Sequence, residues 1–393
     1  MGRACHDSFM KVALVHDWLT GMRGGEKCLE VFCELFPAAD LYTLFYIPTR
    51  VSPIIRSMNV RASWLNCLPG VERYYRYGLP LFPAAVEGFA LGGYDLILSS
   101  SHCAAKGVAS GGTLHISYIH SPMRYIWDMY DAYFGATASW PARAGMALCR
   151  GYLQRWDARS ARRVHCFIAN SKHIAAKIRK IYAREAEIIY PPVDIDKFHI
   201  SNDRETFYLI ISALVPYKKI DLAIEAFNQM GLPLKIAGEG PLEKVLKKHA
   251  GPNVEFLGWV DDARLADLYA GCEAVIFPGE EDFGIVPLEA QASGRPVIAY
   301  GKGGALESVI GIDDTDPASG ANPTGIFFMQ TTPSSLIEAV ERYRAVGHLF
   351  EPTALRRHAS QFSRALFKSR MQQFIDERVI NRASYVKQNA EKA

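Results

Sequence analysis

The sequence predicts an α/β protein made of two doubly wound, Rossmann-like domains with a cleft between them. Two observations carry this expectation. Strand-like apolar runs alternate with helix-period segments along almost all of the 393 residues, the pattern of parallel strands joined by crossover helices. A polar stretch, Asp196–Glu205 (DKFHISNDRE), then divides that series into two comparable halves. The length suits two or three domains. With 49% apolar and 22% charged residues, the balance is that of a globular chain.

In the first half, Lys11–His16 is an apolar run followed by a loop and a helix from about Glu26 to Leu35. Further strands fit Asp95–Ser101, His115–His120, Val164–Ser171 and Ala186–Val193, with a long basic helix over 143–163. In the second half, Phe207–Leu214 reads as a buried strand. It leads into a helix, Lys219–Met230, that places Ile220, Ala223, Ala226 and Phe227 on one face. Leu234–Gly240, Val254–Trp259, Ala274–Gly279, Pro296–Gly301 and Gly325–Met329 follow as strands. Their helices are expected to begin near Pro241, Asp262, Pro287, Ala305 and Ser334. These elements give domains at 10–195 and 206–364 and a last helix over 365–385.

Composition excludes several classes. The longest apolar stretch, Tyr77–Leu91, is broken by Gly78, Pro80, Pro83 and Glu87, so no membrane-spanning helix is expected. The first nine residues are polar, which argues against a secretory leader. Position six is His6, which argues against N-terminal acylation. Met10 is a candidate start, and the expected address is the cytoplasm. Eight cysteines without a Cys-x-x-Cys pair read as buried thiols rather than disulfides or a zinc site. Net charge is +3, divided as +7 over residues 1–200 and −4 over the rest. Between Arg143 and Arg184, Asp157 is the only acid among eleven Lys and Arg side chains. That excess suits an anionic membrane surface or a lipid-linked phosphate, and equally a solvated helix face. No helix-turn-helix, zinc or single-strand-binding signature accompanies it, so nucleic acid is not expected.

Ligands of doubly wound sheets sit beyond the carboxyl ends of the strands, so the strand-to-helix loops are where chemistry is expected. The richest is 278–289, PGEEDFGIVPLE. It offers Glu281, a Phe283-Gly284 corner, Ile285, and Glu289 in the first turn of a helix opened by Pro287. Backbone N–H groups at such a corner attract phosphate and hydroxyl oxygens. The two carboxylates either accept sugar and ribose hydroxyls or serve as a loop charge and a helix-start acid. Gly24-Gly25, between the first strand and its helix, reads by itself as a tight turn and lacks the G-x-G-x-x-G dinucleotide fingerprint. His120 at the end of a strand is either a structural residue or a site residue. Ser101, His102 and Lys106 are weaker acceptor-side candidates. Tyr125, Trp127 and Tyr130 either stack on a sugar or pack.

Four segments in order carry a resemblance. Glu281-Asp-Phe-Gly-Ile-Val-Pro-Leu-Glu289 resembles the Glu-x7-Glu motif of the retaining glycosyltransferases of family four. Ala290–Ala299 with Gly303-Gly304-Ala-Leu-Glu307, Ser212-Ala-Leu-Val-Pro-Tyr-Lys218, and Ile236-Ala-Gly238-Glu239-Gly240-Pro241 look like further segments of that family. The resemblance runs from Met10 to the C-terminal helices. It implies a GT-B fold with the donor on the C-terminal domain, the acceptor on the N-terminal one, and a last helix, Ala365–Val379, crossing back.

By the same resemblance, Lys218 neutralises the donor diphosphate, whose growing charge a fixed cation stabilises. Gly238, Glu239, Gly240, Phe283, Gly284, Ile285 and Glu289 line the donor. Gly24 and Gly25 approach phosphate or acceptor, and His120 with Glu281 contacts the transferred sugar. The family's arginine five residues before the lysine is Ala213 here, so either Lys219 or a residue of the other domain supplies that charge, or diphosphate binding is weaker than usual.

The implied reaction keeps the anomeric configuration by a front-face route, the leaving phosphate helping to deprotonate the acceptor. It uses no metal or other cofactor. Asn170-Ser-Lys-His, Tyr190-Pro-Pro-Val-Asp194 and Val215-Pro-Tyr-Lys-Lys resemble bacterial mannosyltransferases. They point to GDP-mannose as donor and a polyprenyl-diphosphate-linked oligosaccharide of surface polysaccharide as acceptor. The basic helix Arg143–Arg163 and the stretch Arg73-Tyr-Tyr-Arg-Tyr77 suit an anionic leaflet at the inner face of the cytoplasmic membrane. A sugar-nucleotide epimerase, a phosphorylase and a non-catalytic glycosyltransferase partner are the other readings the fold allows.

Overall fold

The computed structural model describes residues 10–70, 75–130, 134, 140–203, 205–312 and 322–390. The chain divides into two compact units, one of Met1–Pro191 with Phe367–Ala393, the other of Pro192–Leu366.

The first unit holds a parallel sheet of seven strands: β1 (Val12–His16), β2 (Asp40–Thr43), β3 (Asn59–Ala62), β4 (Leu96–Ser101), β5 (Leu114–Ile119), β6 (Cys166–Ala169) and β7 (Ala186–Ile188). Their order is β3-β2-β1-β4-β5-β6-β7. Every residue of β1, β4 and β5 is buried, as covered parallel sheets require. Alternation sorts them: Val12 and Leu14 pack with Leu29 and Phe32 of the helix Gly24–Leu35. Ala13 and Val15 face Phe82, Val86, Leu153 and Trp156 on the other side. The C-terminal helix, Arg364–Ala390, places Phe367, Met371, Phe374 and Ile375 in the first of these clusters. That spacing is one face of a helix.

The second unit has six parallel strands: β8 (Tyr208–Ile211), β9 (Leu234–Ala237), β10 (Val254–Gly258), β11 (Val275–Phe277), β12 (Val297–Tyr300) and β13 (Gly325–Phe328). Their order, β10-β9-β8-β11-β12-β13, is the Rossmann order, which reverses between the first and fourth strands. Ile220, Ala223, Ile224 and Phe227 of the helix Ile220–Met230 pack on Tyr208, Ile210 and Ile236. The segment around 195–201 is tied into this unit. Arg356 donates to the carbonyls of Ile195, Phe198 and Ala292, and buried Arg295 donates to those of Ser201 and Ala270.

Three expectations need correction. Cys28, Cys33, Cys103 and Cys272 are buried, but Cys67 is exposed and Cys149 and Cys166 are part-buried; Cys5 lies outside the described residues. The helix expected at Pro287 begins at Ile285, because Gly284 at φ +88° forms its N-cap. Glu289 is therefore in the second turn. Lys106 is a core residue, 1% exposed, with its ammonium 2.8 Å from Asp157 Oδ1 and donating to Ser160 Oγ at 2.9 Å. It is not an acceptor-side group. Asp157, the acid of the basic segment, is fully buried there and accepts from Trp127 Nε1 and Tyr182 Oη. Trp127 is thereby a packing residue, and Tyr130 lies under the Arg150 guanidinium. In the stretch Arg73–Tyr77, positions 71–74 and the side chains to 77 lie outside the described residues.

Candidate active site

Each sheet has its topological switch point, and the residues with chemical potential gather at both.

In the second unit the switch lies between β8 and β11. Beyond β8 the chain runs through a short 3-10 turn, Pro216–Lys218. Lys219, at the junction with the next helix, takes a left-handed φ of +54°, which costs a non-glycine residue roughly 1 kcal/mol. Beyond β11, Gly279 passes so close to this turn that an added Cβ would lie 2.8 Å from the Tyr217 carbonyl and 2.9 Å from Lys218 Cα. That approach brings the Lys218 ammonium onto Glu281 Oε1 as an ion pair, both side chains part-exposed.

The loop after β12 clamps the same corner. Glu281 forms a parallel bridge with Gly303, and Gly304 N–H donates to the Glu281 carbonyl at 2.8 Å. A Cβ on Gly304 would sit 2.2 Å from Phe283 Cα, so glycine is required there. Phe283 is buried against Phe362. Behind it the helix Ile285–Ala292 opens with no side chain capping its N-terminus.

Gly238 and Gly240 have a structural reason of their own. A Cβ on Gly238, at φ +131°, would lie 1.9 Å from the Ser212 carbonyl oxygen, and one on Gly240 would lie 2.4 Å from that of Leu214. They let the loops after β8 and β9 run together, with Leu214 N–H donating to the Glu239 carbonyl at 3.0 Å. The Glu239 side chain is exposed, as are Ala213 and Lys219.

Glu289 is held elsewhere on this helix. It is 5% exposed and accepts from Tyr269 Oη at 2.9 Å, from the helix Asp262–Gly271. Burial and the Glu289 charge push the Tyr269 phenol well up. The structure therefore brings Lys218 and Glu281 into contact and gives Glu289 a separate, rigid anchor. Tyr269 was not anticipated, for nothing in its spacing marks it.

In the first unit the switch lies between β1 and β4, where His16 and Ser100 are register partners. Ser100 Oγ is 3.0 Å from His16 Nδ1 and 2.8 Å from Nε2 of His120, which follows β5. Gly24-Gly25 open the neighbouring helix, and a Cβ on Gly25 would meet His120 and His16 at 3.6 Å. Glu26, in the first turn, accepts from Arg23 N–H at 3.0 Å and faces His16 Nε2 at 3.8 Å. Burial raises the Glu26 carboxyl, but His16 beside it holds it below the ordinary range overall. Burial, with His102 and His16 close by, pushes His120 well below the ordinary imidazole value. His102 falls to about 3, mainly from burial.

Asp17 organises the adjoining loop. Its carboxylate accepts backbone N–H bonds from His102, Cys103, Ala104 and Ala105, four in a row at 2.5–2.9 Å. His16, Asp17, Glu26 and Ser100 were missed in the sequence, since their contacts span as many as 88 residues.

Comparison with known proteins agrees with this architecture. The family "Glycosyltransferase Family 4" matches residues 41–197, and "Glycosyl transferases group 1" matches residues 194–345. The chain belongs to the family-four glycosyltransferases. It is 29% identical over 154 residues to O-antigen chain mannosyltransferase C of Escherichia coli, covering 35% of this chain and 42% of that protein. It is 28% identical over 216 residues to human alpha-1,3/1,6-mannosyltransferase ALG2, covering 45% and 49% respectively. The chain thus spans under half the length of these two relatives. Among solved structures it resembles Anabaena Alr3699/HepE, in complex with UDP-glucose, with a TM-score of 0.67 at 18% identity over 93% of this chain and 99% of that one. At that identity the likeness establishes the GT-B fold and no more. Among the described residues, no helix is long and apolar enough to cross a membrane.

Proposed function

We propose that this chain is a retaining hexosyltransferase that takes its sugar from a nucleotide diphosphate, with GDP-mannose as the first choice of donor. It passes the sugar to a hydroxyl of a lipid-linked oligosaccharide in surface polysaccharide assembly. The observation that carries this reading is the Lys218–Glu281 pair at the switch point of the second sheet. On donor binding the ammonium turns to the diphosphate and compensates the charge that grows as the glycosidic bond breaks. Glu281 is then available to accept sugar hydroxyls, and Glu289, fixed by Tyr269, accepts those of the ribose. The leaving phosphate takes the acceptor proton, so the protein contributes positioning and charge rather than a nucleophile, and needs no metal. Mannosyltransferases among the relatives favour mannose.

The lipid-linked acceptor is supported by the outer face of the helix Trp140–Ser160. Trp140 is 79% and Leu148 85% exposed, and Ala144, Tyr152, Arg155 and Arg159 continue the same stripe. Aromatic and aliphatic groups flanked by arginines suit the boundary of an anionic leaflet.

The test is to incubate the purified chain with a panel of nucleotide sugars, with and without membrane lipid extract, following nucleotide release and lipid-linked product. Transfer that needs both GDP-mannose and lipid supports the reading. Free epimerised sugar supports an epimerase in its place, and binding without turnover a silent partner. Flotation with anionic vesicles tests the helix face: salt-sensitive association that Trp140→Ser/Leu148→Ser weakens is expected, and its absence removes membrane contact.

A further inference from the structure

The first unit contains a polar chain, Glu26–His16–Ser100–His120, buried at its first three members and part-exposed at His120, whose polarity follows from the hydrogen-bond inventory of its members. We infer that Glu26, His16 and Ser100 are positioning residues that fix the tautomer of His120 and leave its Nδ1 as a hydrogen-bond acceptor. The inference rests on the reading that His120 meets the transferred sugar.

Glu26 Oε2 accepts from Arg23 N–H, and Oε1 lies 3.8 Å from His16 Nε2. An ionised carboxylate only accepts hydrogen bonds. A bare imidazole nitrogen facing it in a buried site would set lone pair against lone pair. With the rings neutral, the His16 proton is therefore on Nε2, and Nδ1 is the lone pair.

The Ser100 hydroxyl carries one hydrogen and touches two imidazoles, His16 Nδ1 at 3.0 Å and His120 Nε2 at 2.8 Å. It can donate to at most one of them, so at least one ring must donate to it. Since His16 Nδ1 offers a lone pair, Ser100 donates there and accepts from His120 Nε2–H. The remaining nitrogen of His120, Nδ1, makes no hydrogen bond among the described residues and is not enclosed. It is an acceptor, suited to a sugar hydroxyl and unsuited to a carbonyl or phosphate oxygen.

Neighbouring charges bear on the same rings. His102 lies 5.9 Å from His16 and 6.5 Å from His120, centre to centre, and its own Nδ1 is 3.2 Å from Asp17 Oδ2. Arg23 and Arg124 act electrostatically on His102. His102 makes no hydrogen bond to Ser100, so among the described residues the hydroxyl is the link between the His16 and His120 imidazoles.

Two measurements test this on the full chain. In long-range nitrogen–proton spectra of histidine-labelled protein at pH 8, above the ordinary imidazole value of about 6.5, His120 should show a protonated Nε2 and a bare Nδ1. A protonated Nδ1 overturns the inference. Glu26→Gln presents an amide N–H to His16 and should shift His120 towards the opposite tautomer; Ser100→Ala should leave a tautomer mixture. An unchanged His120 spectrum in both folded variants also overturns it. In the nucleotide-sugar assay, each variant should lower kcat/KM by about tenfold or more, with Ser100→Thr retaining most of it. Wild-type turnover with full activity in the Ser100→Ala variant contradicts the positioning role and leaves the transferase reading intact. Absence of turnover in the wild type contradicts the transferase reading, while the spectra still decide the tautomer.

Discussion

Lys106 is where the structure departs most sharply from a surface reading, and its replacement is quantitative. In Lys106→Met the apolar stem is kept and the ammonium lost. Asp157, fully buried, then keeps two neutral donors, Trp127 Nε1 and Tyr182 Oη, both on one oxygen. Its other oxygen loses the cation 2.8 Å away. Removing one partner of a buried ion pair costs about 3–5 kcal/mol. For a unit of roughly two hundred residues that is a fall of roughly 6–20 °C in Tm. Asp157→Leu alone strands the cation and costs a similar amount. The double variant relieves both charges and loses only hydrogen bonds, so it should be at least ~2 kcal/mol more stable than the sum of the singles. Urea unfolding followed by circular dichroism measures all three. A Lys106→Met protein of unchanged stability and abolished transferase activity would refute the reasoning and return Lys106 to the acceptor site.

Three further outcomes are expected. His102 and His115 sit near 3, chiefly through burial, and His120 is displaced the same way. The unfolded chain therefore binds these protons first, so stability is full above about pH 6.5 and is lost as pH falls towards 3, by up to ~1.4 kcal/mol per unit per histidine. Denaturant midpoints at pH 7.5, 6 and 5 check it, and a flat profile contradicts neutral rings at these positions. Gly238→Ala should destabilise by about 2–4 kcal/mol, because its Cβ has no room beside Ser212 and its φ is unfavourable; thermal unfolding reads this directly. Tyr269→Phe removes the hydroxyl that holds Glu289, and should raise donor KM about three- to tenfold with little change in kcat.

Much of the fold was legible because fully buried parallel strands announce themselves as continuous apolar runs; β1, β4, β5 and β8 lie where the runs do. β2 and β3 did not stand out. β3 reads Asn-Val-Arg-Ala and is largely exposed at the sheet edge, so no apolar pattern marks it. The helix Lys172–Tyr182 was overlooked beside its basic residues, although Ile174, Ile178 and Tyr182 form its buried face. The start at Ile285 was displaced because proline favours a first turn while the left-handed Gly284 stops the loop two residues earlier. Lys218 and Glu281 were legible as a motif. The His16–Ser100 pairing was not, since it depends on the register of strands 84 residues apart.

A cation and an acid at the second switch point are proposed to hold the activated sugar. Transferase kinetics of Lys218→Ala and Glu281→Gln, with unfolding curves of the same preparations, test this most directly. Each should lose about a hundredfold or more in kcat/KM, close to the effect of removing one transition-state charge partner, about 2.7 kcal/mol, while remaining folded. Two folded variants whose turnover stays within a few-fold of the parent would place the donor elsewhere.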